Sequence, residues 1–198
     1  MIILDRVIRV AGIDEVGRGS LFGPVVAAAV MISPEVEHQL QDLGVRDSKT
    51  LSHRKRQALL GAIEELALDC QLGVASVAEI DRFNILQASL LAMKRAVLKL
   101  GEIPGVCLVD GLHEIPQLDR VQRTVVKGDR TEVAIAAASI VAKVWRDELI
   151  ARLDPLFPHY DLRANKGYGT KKHRLAIAQF GPSCLHRRSF KLKSFQAQ

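Results

Sequence analysis

Two short apolar runs open the pattern. Residues 6–13 (RVIRVAGI) and 24–32 (PVVAAAVMI) are bounded by Gly and Pro and read as strands. Between them lies DEVGRGSLFG, a glycine-rich connection. Residues 51–69 place Leu59, Ile63 and Leu66 at helical spacing, and 71–77 (QLGVASV) read as a further strand. Residues 85–100 predict a helix closed by Gly101 and Pro104. Residues 105–111 (GVCLVDG) read as a buried strand ending at Asp110, and 121–126 as a weaker one. The longest helical pattern, 132–153, stops at Pro155, and 171–180 give a short helix before a basic tail. The order β-β-α-β-α-β-β-α predicts an α/β domain: a mixed sheet covered by helices.

Composition narrows the class. The 198 residues are 48% hydrophobic and 25% charged, an ordinary globular balance. No apolar run approaches the roughly 18 residues of a membrane span. The N-terminal run carries Asp5, Arg6 and Arg9 and does not read as a secretory signal. Cys70, Cys107 and Cys184 are far apart, which fits a reducing, cytoplasmic setting and no disulfide framework.

The net charge of +6 conceals a division. Residues 162–198 hold nine Lys and Arg and no acid, which leaves 1–161 with 19 basic and 22 acidic groups. The expected organisation is a core at 1–161 and a basic substrate-binding extension at 162–198, packed together as one unit. Aromatics interleaved with these cations, Tyr168 among them, suit a polyanion partner. A solvated tail is the alternative.

Four acids are candidates for chemistry. Asp14 and Glu15 follow an apolar strand, and the glycines after them would let the chain turn so that both converge. Asp110 closes its strand before Gly111. Asp147 shares a helix face with Val133, Ala137, Ile140, Val144 and Ala151. Each has a plainer reading: an exposed acidic turn for the first pair, an Asp-Gly turn for Asp110, an i, i+4 ion pair with Lys143 for Asp147. Together they suggest hard oxygen ligands for Mg²⁺ or Mn²⁺ and phosphate chemistry on a polyanion. Gly17-Arg18-Gly19 and Asp47-Ser48-Lys49 are further phosphate-handling candidates, with Ser48 or Ser52 as ordinary helix caps the alternative. The pattern GxxxxGK[ST] does not occur, so a P-loop triphosphatase is not supported.

The strings DEVGRGSLFGPVVAAAV, DSKTL, LVDG, VVKGD, AAASIVAKVWRD, KGYGT and HRRSF resemble, in order and over about residues 11–190, the type 2 ribonuclease H (ribonuclease HII) family. The resemblance implies an RNase H-like mixed sheet with a C-terminal helical extension. It implies cleavage of RNA in RNA–DNA hybrids and cleavage 5′ to single ribonucleotides in duplex DNA, leaving 3′-hydroxyl and 5′-phosphate ends, in replication and repair. Asp14, Glu15, Asp110 and Asp147 match the metal-binding carboxylates. Gly17, Arg18 and Gly19 match the motif that recognises the ribonucleotide, and Tyr168 the tyrosine at the RNA–DNA junction. Ser48, Lys49, Lys127, Lys143 and Lys166 match phosphate contacts. Ser20 stands where a proline is common, a change expected to cost little. The tail SFKLKSFQAQ lacks a clear sliding-clamp motif, a monomer is expected, and the early first strand leaves no room for the N-terminal domain of type 3 relatives. A non-catalytic nucleic-acid module would explain the basic tail but not the acids. Another nuclease or integrase on the same fold would share the acids and attack all-DNA duplex.

Overall fold

The computed structural model describes residues 9–46 and 48–190, with the side chain of Lys49 outside the description. In chain order the elements are β1 (Val10–Val16), β2 (Val25–Ile32), α1 (Pro34–Asp42), α2 (His53–Leu66), β3 (Asp69–Ala75), α3 (Val77–Phe83), α4 (Ile85–Val97), β4 (Val106–Asp110), β5 (Gln122–Val125), α5 (Val133–Leu153), α6 (Leu162–Asn165) and α7 (Lys171–Phe180). Short 3-10 turns lie at Ser48–Thr50 and Gly128–Arg130. The strands form one sheet in the order β3-β2-β1-β4-β5. β1 is antiparallel to β2 and β2 to β3, while β1, β4 and β5 run parallel.

Alternation along β1 and β2 splits the core into two layers. Ala11, Ile13, Val25, Ala27 and Ala29 face α4, where Ala88, Ala92, Met93 and Ala96 meet them. Ala28, Val30 and Ile32 face α5. That helix is buried nearly all round, because α2 and α1 cover its outer side. Small residues let α5 lie close to β1. A Cβ at Gly12 would fall 2.0 Å from the backbone carbon of Ala134, so no side chain fits there.

Several boundaries differ from the sequence expectation. β1 does not end before the acidic pair but runs through it to Val16; residues 6–8 of the expected strand lie outside the described region. α1 and α3 fall where the sequence pattern predicts no element, yet both begin on clear caps. Ser33 precedes Pro34 and accepts the Val36 N–H, and Ser76 forms a reciprocal capping box with Glu79. Asn84, at φ 71°, separates α3 from α4. Ser52, not Ser48, caps α2.

After α5 the chain returns over the glycine-rich loop. Phe22, Ile150, Tyr160, Leu162, Ala176 and Ile177 make a third apolar cluster joining α6 and α7 to the rest. Among the described residues no helix is long and apolar enough to cross a membrane.

Candidate active site

β1 outruns its neighbour. Its pairing with β4 stops at Ile13–Val109, and β4 ends at Asp110, while β1 continues in register with β2 through Asp14–Ala28 and Glu15–Ala27. The open position beyond β4 is where the acids gather. Asp14, Glu15 and Asp110 each offer a carboxylate oxygen, and these oxygens all lie within 4.8 Å of one another. The convergence therefore comes from the end of a strand and not from a glycine turn, which corrects the expectation from sequence.

Each acid is held. Asp14, 6% exposed, accepts the Glu15 N–H at 2.7 Å and bonds the Ser139 hydroxyl of α5. Asp110 accepts the Gly128 N–H at 2.7 Å. Glu15 pairs with Arg18 at 3.0 Å. Burial, reinforced by Glu15 and Asp110, holds the Asp14 carboxyl well above the usual carboxylate range. Burial also raises Glu15, with Arg18 working against it. Three closely spaced acids, one buried and two half-buried, with hard oxygen donors, suit a divalent cation.

Asp147 is not one of this group. It is buried on α5 two turns beyond Ser139, and Lys143 donates to it at 2.8 Å, the plainer alternative read from sequence. Its Oδ1 has no hydrogen-bond partner among the described residues. Asp129, which the sequence reading passed over, is 3% exposed and directly follows the Gly128 that binds Asp110. Its signal was the acid in VVKGD, four residues ahead of α5.

The glycine motif and the tyrosine come together. The Leu21 and Phe22 N–H groups both donate to the Gly167 carbonyl, and Ser20 pairs with Tyr168 in an isolated bridge. A cation that the sequence reading missed fastens them. Arg146 is fully buried; it donates to the carbonyls of Pro24, Phe22 and Lys166 and to the Ser20 hydroxyl, all at 2.8–3.0 Å. Its guanidinium carbon lies 5.6 Å from the Tyr168 ring centre. Gly17, at φ 92°, leaves room for it, since a Cβ there would fall 2.2 Å from Arg146 Nε. Ser20 is thus more than a tolerated departure, because its hydroxyl takes one of the Arg146 bonds. Arg187 holds the same loop from the other side, through the Gly23 and Arg18 carbonyls.

The remaining candidates divide. Arg18, Gly19 and Lys127 are exposed, and Lys166 and Tyr168 half-buried. Ser48 is 1% exposed, its hydroxyl 2.9 Å from that of Ser139, so its side chain faces the interior behind Asp14 and not the surface. The positive charge of the C-terminal region is partly occupied. Arg187 is 3% exposed, Lys172 pairs with Asp161 and Arg163 with Asp154; Lys191 and Lys193 lie outside the described residues.

Comparison with known proteins decides the family. The ribonuclease HII family model matches residues 11–193. The chain belongs to the ribonuclease HII family. The ribonuclease HII of Acaryochloris marina is 59% identical over 92% of each chain. Among solved structures, the ribonuclease H2 of Pyrococcus horikoshii superposes with a TM-score of 0.78 at 26% identity, over 92% of this chain and 94% of that one. The RNase HII of Archaeoglobus fulgidus, in its complex with PCNA, gives 0.78 at 29%, over 93% and 96%. The mixed sheet flanked by helices is the RNase H-like fold of these ribonuclease HII structures. This protein is a ribonuclease H, of a divalent-metal-dependent family that cleaves the RNA of RNA–DNA hybrids.

Proposed function

We propose that this ribonuclease HII cleaves on the 5′ side of single ribonucleotides in duplex DNA, as well as RNA in hybrids, leaving 3′-hydroxyl and 5′-phosphate ends. The observation that carries this reading is the interlocked Gly17–Arg18–Gly19 and Tyr168 loops, fixed to the element that bears Asp14 and Glu15. A loop held by two buried arginines presents backbone at a fixed distance from the acids. That suits discrimination of a 2′-hydroxyl, the group that separates RNA from DNA. Tyr168 would stack on the sugar that follows the ribose, and Tyr168→Ala should lose single-ribonucleotide cleavage more than hybrid cleavage. Equal loss on both substrates counts against a junction role.

Asp14, Glu15 and Asp110 would hold Mg²⁺ or Mn²⁺. A divalent cation supplies activation of water and charge stabilisation at the leaving 3′-oxygen. The protein's own part is to keep three carboxylates within reach, to hold Asp14 through Ser139 and Asp110 through Gly128, and to align the backbone around the ribose. Arg18, Lys127 and Lys166, with Lys49, are placed by this reading along the phosphates, and the region 162–198 grips the duplex.

As the fourth acid this reading keeps Asp147: it is buried on α5 two turns beyond Ser139, Lys143 holds one of its oxygens, and its Oδ1 has no hydrogen-bond partner among the described residues, an oxygen that a cation or its water would satisfy. Asp147→Asn should weaken the thermal stabilisation given by Mn²⁺, and an undiminished metal response would remove Asp147 from the metal site.

A further inference from the structure

Behind Tyr168 lies a buried polar chain that the cleavage chemistry does not use. His173 on α7 and His186 are 0% and 4% exposed, and their Nε2 atoms lie 3.1 Å apart. The outer contacts fix the protons. His173 Nδ1 meets the Tyr168 carbonyl at 2.9 Å, and a carbonyl only accepts, so this nitrogen carries hydrogen. The Ser183 N–H donates to His186 Nδ1 at 2.9 Å, so that nitrogen is bare. His186 then carries its hydrogen on Nε2 and donates it to His173 Nε2. The three bonds run one way: Ser183 to His186, His186 to His173, His173 to Tyr168.

We propose that His173 and His186 are positioning residues for Tyr168, forming a one-way relay that fixes the tyrosine's backbone against α7 and so sets the ring for the RNA–DNA junction. The proposal rests on the junction reading of Tyr168. Only the doubly neutral pair completes the relay. A proton added to His173 sets two N–H groups face to face, and one added to His186 opposes the Ser183 N–H and has only the Ser183 hydroxyl, 2.8 Å away, to receive it. The surroundings favour neutrality. The Tyr160 ring packs on both imidazoles, and Arg187 follows His186 in the chain. Asp161, which attracts a proton to His173, is itself paired with Lys172 at 2.9 Å. The Tyr168 carbonyl also takes the Thr170 N–H at 2.8 Å, so losing His173 loosens the loop without emptying that acceptor.

The test combines spectroscopy with kinetics. Long-range ¹H–¹⁵N spectra of the wild-type protein at neutral pH should show hydrogen on Nδ1 of His173 and Nε2 of His186. His173→Leu should raise KM for a DNA duplex with one ribonucleotide about tenfold, with kcat within about twofold. His173→Asn keeps a donor near the Nδ1 position and should recover most of the loss. In a Tyr168→Ala background, His173→Leu should add nothing further. Reversed tautomers, a loss confined to kcat, or equal losses in both backgrounds overturn the relay. A full Tyr168→Ala effect with an unaltered His173→Leu overturns the relay alone. No KM effect from Tyr168→Ala overturns the junction reading beneath it.

Discussion

Replacing Asp110 by Asn should make the metal-free protein more stable while abolishing its activity. The carboxylate oxygens of Asp14, Glu15 and Asp110 lie within 4.8 Å of one another. At that separation and an effective dielectric of about 20, each like-charge pair costs about 3.5 kcal/mol. Asp110→Asn removes two such pairs and, through the retained Oδ1, keeps the bond from the Gly128 N–H. Proton uptake by Asp14 and Glu15 already relieves part of the repulsion, so the net gain should be about 1–3 kcal/mol. For a domain of this size that is about 3–10 °C in Tm. The sign with pH follows. Asp14 and Glu15 titrate above their ordinary 3.8 and 4.5, so their contribution is present in acid and lost as pH rises through the folded titration. The difference between wild type and variant should therefore be largest near neutral pH and shrink toward pH ~4. Thermal melts in chelator and in Mn²⁺ read both effects: wild type gains stability from the metal, and the variant starts higher and gains little. An apo variant that melts below wild type, with an undiminished metal response, refutes the electrostatic account.

Arg146→Met should destabilise the protein by at least about 3 kcal/mol, since four buried acceptors lose a charged donor; a denaturant midpoint near wild type would show that the buried arginine does not fasten the loops. The ring titrations of His173 and His186 should both have midpoints below 6.5, with burial and the adjacent His173 pushing His186 down to about 4. Because these values are depressed, the stability they carry is complete above 6.5 and is lost as pH falls toward those midpoints. NMR titration checks this, and a midpoint at or above 6.5 for either ring contradicts the neutral pair.

The sheet and the long helix were legible because their apolar runs are bounded by Gly and Pro and leave little choice of period. The short helices α1 and α3 were not. Their apolar faces are small, and only the caps at Ser33 and Ser76 announce them. In the site, the residue types were readable but the geometry that gathers them was not. Asp14 and Glu15 meet Asp110 because β4 stops while β1 continues, a register fact that neither segment carries alone. Asp147 was ambiguous for a related reason: an acid on the buried face of a helix looks the same whether it faces a metal or a lysine four residues back. Arg146 was not singled out, and Arg187 was counted only among the charges of the basic extension. Long side chains can bury a cation among carbonyls from distant loops, and no local pattern records that. The +9 of residues 162–198 was thus read too simply, since Arg187 serves the fold.

Where the chain cuts is decided by mapping its products. End-mapped products should be taken from three labelled duplexes, one all-DNA, one with a single ribonucleotide and one RNA–DNA hybrid, with Mn²⁺ or Mg²⁺ and with chelator. The expected result is one nick 5′ to the lone ribonucleotide, with 3′-hydroxyl and 5′-phosphate ends, cleavage within the hybrid's RNA, an intact all-DNA duplex, and no products in chelator. A cut all-DNA duplex, a nick on the 3′ side of the ribonucleotide, or undiminished cleavage in chelator would contradict it.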